Sequence, residues 1–196
     1  MSSPCVVILA AGQGRRFQAA GGQAPNKLLA ICRGLDGQQR PVLEHTLLTA
    51  RAVSEDCLLI TRPENFPAID LGERYGCQVL LLASAGMGDS LARAVEAAST
   101  ASGWLIVLGD MPFLRPQTLA AVAAAMGPGH ICVPVGAKGQ GHPVGFGKTF
   151  GAALRKLTGD QGARRLFHQA DVVELLTDDP GIYLDVDIPQ DLHSAT

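Results

Sequence analysis

The sequence predicts an α/β fold: a doubly wound, mostly parallel sheet with helices on both faces, three layers in all. Two observations carry this reading. Short apolar runs rich in β-branched residues alternate along the chain with amphipathic stretches, the order that a helix-covered parallel sheet requires. The 196 residues, 47% hydrophobic and 17% charged, suffice to bury one sizeable core and suit a single domain over 1–196.

The elements follow in order. Cys5 to Leu9 reads as a buried parallel strand that runs straight into a glycine loop. The segment 41–53 reads as a helix, with Pro41 near its start and Val42, His45, Leu48 and Ala52 at helical spacing. Cys57 to Thr61 and Gln78 to Leu82 supply the next strands, and Asp89 is placed to cap a helix running through Leu91, Val95 and Ala98. Trp104 to Leu108 is a further strand, and the alanine-rich stretch from Leu119 to Ala125 is a strong helix former. Near the end, alternation from Tyr183 to Asp187 predicts a strand with Asp185 and Asp187 on one face, and Pro189 to Leu192 begins a last helix. A fold of this class places its ligands at the carboxyl ends of the strands.

Composition excludes several functions. A net charge of −2 and 5% aromatic residues leave no basic sheet or stacking platform for a long nucleic acid, so the partner should be small. No stretch of eighteen apolar residues occurs, and no charged-then-apolar leader precedes the first strand; a cytoplasmic protein that does not engage membranes is expected. Cys5, Cys32, Cys57, Cys77 and Cys132 are odd in number and share no CxxC spacing, which fits small core residues better than a disulfide framework or a zinc knuckle.

The most informative segment is Leu9-Ala10-Ala11-Gly12-Gln13-Gly14-Arg15-Arg16, with Lys27 beyond it. Gly12 and Gly14 let backbone N–H groups approach an anion, and Arg16 and Lys27 supply positive charge. It is not a dinucleotide fingerprint, because Phe17 stands where the third glycine belongs. A nicotinamide oxidoreductase would also need an acidic ribose-binding residue about twenty residues further on, and the region from Ala30 to Gly34 offers none. The nearest P-loop match, Gly141 to Thr149, fails as well: residues 142–146 separate its glycines where the motif allows four. The Gly/Ala/Gln stretch 18–24 suits a flap that orders over a bound nucleotide.

A second site lies at Leu105-Ile106-Val107-Leu108-Gly109-Asp110-Met111-Pro112, where an apolar strand ends in a glycine, a carboxylate and a turn-forcing proline. Asp110 is thereby put at the sheet edge, and a carboxylate there can hold Mg²⁺ together with substrate phosphates.

These segments, with Gly86-Met87-Gly88-Asp89-Ser90-Leu91, Gly141-His142-Pro143 and Gly159-Asp160-Gln161-Gly162-Ala163-Arg164, resemble in order the motifs of the MobA-like nucleotidyltransferases. The set, spread from Val6 to Leu192, is most similar to the molybdenum cofactor cytidylyltransferases. The resemblance implies a nucleotide-diphospho-sugar-transferase-like fold and a Mg²⁺-dependent transfer of a nucleoside monophosphate to a phosphorylated acceptor. It implies nucleotide contacts from Leu9, Ala10, Ala11, Gly12, Gly14, Arg16, Lys27, Gly86 and Ser90, acceptor contacts from His142 and Arg164, and metal ligation by Asp110 and Asp187. Arg16, Lys27 and Asp110 would carry catalysis. Asp187 matches the second metal position by its spacing to Pro189, with Asp185 behind it, Asp191 a first-turn helix charge and Arg165 solvated.

Ala11 stands where guanylyl-transferring relatives carry glycine, so the resemblance implies CTP over GTP. The acceptor it implies is molybdopterin or its molybdenum-bearing form, with a molybdoenzyme receiving the product; another phosphorylated metabolite, such as a sugar or polyol phosphate, is the alternative. A non-catalytic carrier of a finished pterin cofactor is a different class, and it would not need Asp110, Asp187 and Lys27 together. The long spacing between Arg16 and Lys27, and the long link from Ala30 to Arg40, depart from the family's pattern.

Overall fold

The first apolar run forms β1 (Cys5–Ala10), which the computed structural model places in the middle of the sheet. The structure describes residues 3–83 and 86–194; residues 1–2, 84–85 and 195–196 lie outside the described residues. After β1 come α1 (Arg15–Ala19), a small hairpin of β2 (Ile31–Arg33) and β3 (Gln39–Pro41), then α2 (Val42–Arg51), β4 (Cys57–Thr61), α3 (Phe66–Arg74), β5 (Gln78–Leu81), α4 (Met87–Ala97), β6 (Gly103–Leu108) and α5 (Pro116–Ala125). The last part holds β7 (His130–Gly136), β8 (Gly139–Gln140), β9 (Val144–Gly147), α6 (Gly151–Leu154) and β10 (Asp171–Leu176).

The main sheet runs β10-β7-β9-β6-β1-β4-β5, with β8 beside β7. β1 pairs in parallel with β4 and β6, and β5 pairs in parallel with β4. β9 runs antiparallel to both β6 and β7. Side chains alternate as the strand period demands: Val6 and Ile8 pack with α2, α3 and α5 through Leu43, Leu47, Leu71 and Leu119, while Cys5 and Val7 face α4 and α6 through Leu91, Val95 and Leu154. The three layers expected from the sequence result. All five cysteines are buried. No helix among the described residues is long and apolar enough to cross a membrane.

Two local expectations are corrected. Asp89 does not cap α4: Gly86 stands at the cap without a side-chain bond, and Asp89 lies within the first turn with its carboxylate turned to Gly159. Tyr183 to Asp187 is not a strand either. Pro180–Tyr183 is a 3₁₀ turn, the chain is irregular to Ile188, and Pro189–His193 is a second 3₁₀ turn. The cause is long-range: the Val186 N–H donates to Asp110 O at 2.9 Å, away from any ladder.

α5 is held at its start by a buried acid from outside the helix. Asp179, 2% exposed, accepts from the Arg115 N–H (3.0 Å), the Thr118 hydroxyl (2.7 Å) and the Gly181 N–H (2.8 Å). Asp179→Ala removes a cap and strands buried donors, so it should cost about 3 kcal/mol in urea unfolding. A loss below about 0.5 kcal/mol, the level of an ordinary surface change, would contradict this account.

Candidate active site

The site is built where β1 and β6 end side by side. β1 runs into the loop 11–14, and Gly14 adopts φ +61° at the start of α1, a conformation that strains any residue with a Cβ. Phe17, 1% exposed, anchors that short helix in the protein and leaves Arg15 and Arg16 at its surface. Across from it, the Asn26 side chain accepts from the Leu28 N–H at 2.9 Å and so forms the turn Lys27–Leu29. That turn directs Lys27 inward.

At the end of β6, Gly109 allows the two strands to close: its N–H donates to Leu9 O at 2.8 Å, and a Cβ there would lie 3.0 Å from that oxygen and 3.1 Å from the Ala10 Cβ. The Thr46 hydroxyl on α2 holds Gly109 O at 3.2 Å. Asp110 is thus fixed at the edge, and the Val186–Asp110 backbone bond draws the segment 185–187 over it. Asp191 completes the support, accepting from the N–H groups of Asp187 and Ile188 at 2.9 and 2.8 Å, the first-turn role expected of it.

The charges interlock. Lys27 Nζ lies 2.6 Å from Asp110 Oδ2 and 3.1 Å from Asp187 Oδ1, and Arg16 reaches Asp187 Oδ2 at 2.9 Å. Burial opposes the charge on Lys27, but Asp110 and Asp187 hold its pKa above the ordinary lysine value. Burial likewise opposes the charge on Asp187, and Lys27 and Arg16 outweigh it, holding the carboxyl below the usual range. Asp185 goes the other way, pushed up by burial and then by the charges of Asp110 and Asp187.

Asp110, Asp185 and Asp187 can each turn an oxygen to one point, with those atoms within 4.8 Å of one another. Asp110 Oδ1 is buried and has no hydrogen-bond partner among the described residues. An orphaned carboxylate oxygen within an all-oxygen cluster is what a hard divalent cation satisfies, so these residues fit such an ion. Asp185, expected behind Asp110 and Asp187, brings an oxygen into the same cluster. Its spacing two residues from Asp187 was the signal, and that juxtaposition survives without a strand.

Leu9, Ala10, Ala11, Gly12, Gly14, Arg16, Lys27, Gly86, Ser90, Asp110 and Asp187 all line one cleft of about 620 Å³. Gln13, Met87 and Asp160 line it too, without having been singled out from the sequence for this role. Ser90 is buried, and its hydroxyl donates to Gly86 O at 3.3 Å. His142 and Arg164 lie apart from this cleft, in a second pocket of about 190 Å³ walled by Leu91, Ile106, Val133, Val144, Phe146 and Phe167. The two spaces share Met87 and Leu108. Burial lowers the His142 pKa, with Asp185 opposing, so the ring is neutral at pH 7. Its Nδ1 is buried and lacks a partner among the described residues.

The MobA-like NTP transferase domain family matches residues 6–174. The chain is 30% identical over 205 residues to the purine catabolism protein PucB of Bacillus subtilis strain 168, a match covering 97% of this chain and 96% of PucB. It is 29% identical over 157 residues to the bifunctional protein GlmU of Ralstonia pickettii strain 12J, covering 78% of this chain and 32% of GlmU, so it spans about a third of that relative's length. Among solved structures, the manganese complex of Rv0371c from Mycobacterium tuberculosis H37Rv superposes with a TM-score of 0.80 at 28% identity, with 100% of each chain covered.

Proposed function

The chain belongs to the MobA-like NTP transferase domain family, and from that premise we propose that it transfers CMP from CTP to the phosphate of a pterin, molybdopterin or its molybdenum-bearing form, releasing pyrophosphate. One observation carries the reading: a cleft walled by a glycine loop, three cations and four carboxylates abuts a second, mainly apolar pocket. The first space suits a triphosphate. The second favours a flat heteroaromatic body over a sugar or polyol phosphate, whose hydroxyls would be buried against Leu91, Val133 and Phe146 without partners. The neutral His142 offers a ring nitrogen at that pocket and Arg164 a cation for the acceptor's phosphate. Ala11 in the loop supports cytosine over guanine through the family pattern.

The chemistry asks mainly for positioning. An oxygen of the acceptor phosphate forms a bond to the α-phosphorus of CTP in line, the bond from that phosphorus to the α–β bridging oxygen breaks, and pyrophosphate departs with the electron pair. No general base is needed, because a phosphate monoester is already ionised near neutral pH. Backbone N–H groups of residues 12–14, with Arg16 and Lys27, hold the triphosphate and counter the charge that grows on its oxygens. Mg²⁺ held by Asp110 and Asp187, with Asp185 beside them, supplies further charge neutralisation when bound. Ser90 and Gly86 flank the base and ribose, and Ser90 presents an acceptor lone pair while its hydroxyl donates to Gly86 O.

The test is pyrophosphate release from the purified protein with Mg²⁺ and each of CTP, GTP, ATP and UTP, with and without molybdopterin or molybdenum cofactor. Release is expected with CTP and pterin together. A preference for GTP would overturn the base assignment, and release with a polyol phosphate but no pterin would overturn the acceptor. Tight pterin binding with no release from any triphosphate would make the protein a carrier.

A further inference from the structure

The first turn of α4 and the loop 158–162 are joined at two adjacent points. The Gly88 N–H donates to Gly159 O at 2.7 Å, and Asp89 Oδ1 accepts from the Gly159 N–H at 3.0 Å. Both backbone polar groups of one residue are therefore held by consecutive residues of the helix. The approach is close enough to demand glycines: a Cβ on Gly86 would fall 2.3 Å from the Gly159 carbonyl carbon, and one on Gly88 would fall 2.8 Å from Gln161 O. Gly159 sits at φ +55°, so the loop turns sharply at the point where it is gripped.

What each side carries gives the contact its meaning. The start of α4 lends Gly86, Met87 and Ser90 to the cleft, and Met87 and Leu91 to the second pocket. The loop lends Asp160 to the cleft, and the residues just after it, Gly162, Ala163 and Arg164, to the second pocket. The geometry points to Asp89 as a positioning residue: its carboxylate holds the loop that shapes the acceptor pocket onto the helix that shapes the nucleotide cleft. Asp89 touches neither space itself. Without it, the loop loses the bond to the Gly159 N–H, and Arg164 loses its fixed distance from the reacting phosphorus.

The inference rests on the two-substrate reading above, and its test separates the two. Asp89→Ala removes the accepting oxygen, whereas Asp89→Asn keeps one at the same position. Amide exchange is measured on the free proteins over a peptide spanning 157–164, CTP affinity by calorimetry, and acceptor KM by pyrophosphate release. In Asp89→Ala the peptide should exchange at least tenfold faster, CTP affinity should stay within about twofold, and acceptor KM should rise on the order of ten- to a hundredfold, as small misplacements of a binding group do. Asp89→Asn should restore slow exchange and low KM. Unchanged exchange in Asp89→Ala overturns the inference, as does an equal loss of CTP and acceptor binding, or an asparagine variant that behaves like alanine. Faster exchange in Asp89→Ala alone, with a wild type that turns over no triphosphate, would sink the proposed reaction and support the clasp.

Discussion

Replacing Asp110 by asparagine should lower kcat roughly 10²- to 10³-fold while the protein stays folded. The size is that of losing one preorganised electrostatic group at a reacting centre. Asparagine fills the same volume, and Lys27 keeps Asp187 as a partner at 3.1 Å, so the packing of the strand end on Leu9 and Thr46 is undisturbed. What is lost is the negative charge behind the orphaned Oδ1, so that one of the three clustered carboxylates becomes a neutral amide. Mn²⁺ titration followed by electron paramagnetic resonance, beside pyrophosphate release, makes the result specific. Asp110→Asn should bind the ion at least tenfold more weakly, whereas Asp179→Ala, outside the cluster, should bind it as the wild type does. Wild-type Mn²⁺ affinity in Asp110→Asn would show that the cluster is a structural ion-pair network and nothing more.

The parts of this site that can be read in sequence are those in which one contiguous stretch carries both the strand and its special residues. Leu9 to Arg16 and Leu105 to Pro112 are of this kind, since an apolar run that stops at a glycine can be placed at a sheet edge without knowing its neighbours. Asp185 and Asp187 were paired for the wrong local reason: two residues apart in an irregular segment, they meet because Val186 is tied to Asp110. Asp89 shows the opposite failure. Its position just before the helical pattern of Leu91, Val95 and Ala98 is a local cap signal, and its true partner, Gly159, is seventy residues away.

The strands beyond β6 were hidden by their own composition. Pro134 interrupts β7, and it is tolerated because the pairing with β9 involves only Ile131 and Cys132. β9 carries Gly145 and Gly147; a Cβ on Gly147 would strike the Gly127 and Pro128 carbonyls, and one on Gly145 would displace the Met126 side chain. β10 is an edge strand without clean alternation, with Asp171, Glu174 and Leu176 exposed. Because β7 and β9, with β6 and α4, build the apolar pocket around His142, motif order could bring His142 and Arg164 together, but not the wall chemistry that discriminates between acceptors.

Lys27→Met should also lower turnover at least a hundredfold, and it should do something that Asp110→Asn does not: destabilise the free protein in a manner that acid or a divalent cation reverses. Lys27 and Asp110 are 13% and 15% exposed in their side chains, so this is a largely buried pair, and removing the cation alone should cost about 3 kcal/mol. Arg16, 82% exposed, is left to balance three carboxylates. The signs follow from the shifted groups. Lys27 has its pKa raised above 10.5, so in the wild type its contribution is complete below that pH and lost only as pH rises through the raised value. Asp187 is lowered below 3.8, so its contribution is present above that pH and lost as pH falls through the lowered value. The stability gap between wild type and variant should therefore be widest from neutral pH to about 10 and should close on acidification, as Asp185, already raised, takes up a proton first. Mn²⁺ should narrow the gap at pH 7 as well, because Lys27 no longer occupies Asp110 Oδ2 and Asp187 Oδ1. For the same reason the free variant should bind Mn²⁺ more tightly than the wild type even though it has lost activity. Thermal unfolding across pH, with and without the ion, reads all three effects, and a gap indifferent to both proton and cation would mean that Lys27 acts through packing of its alkyl chain and not as the counter-ion of the cluster.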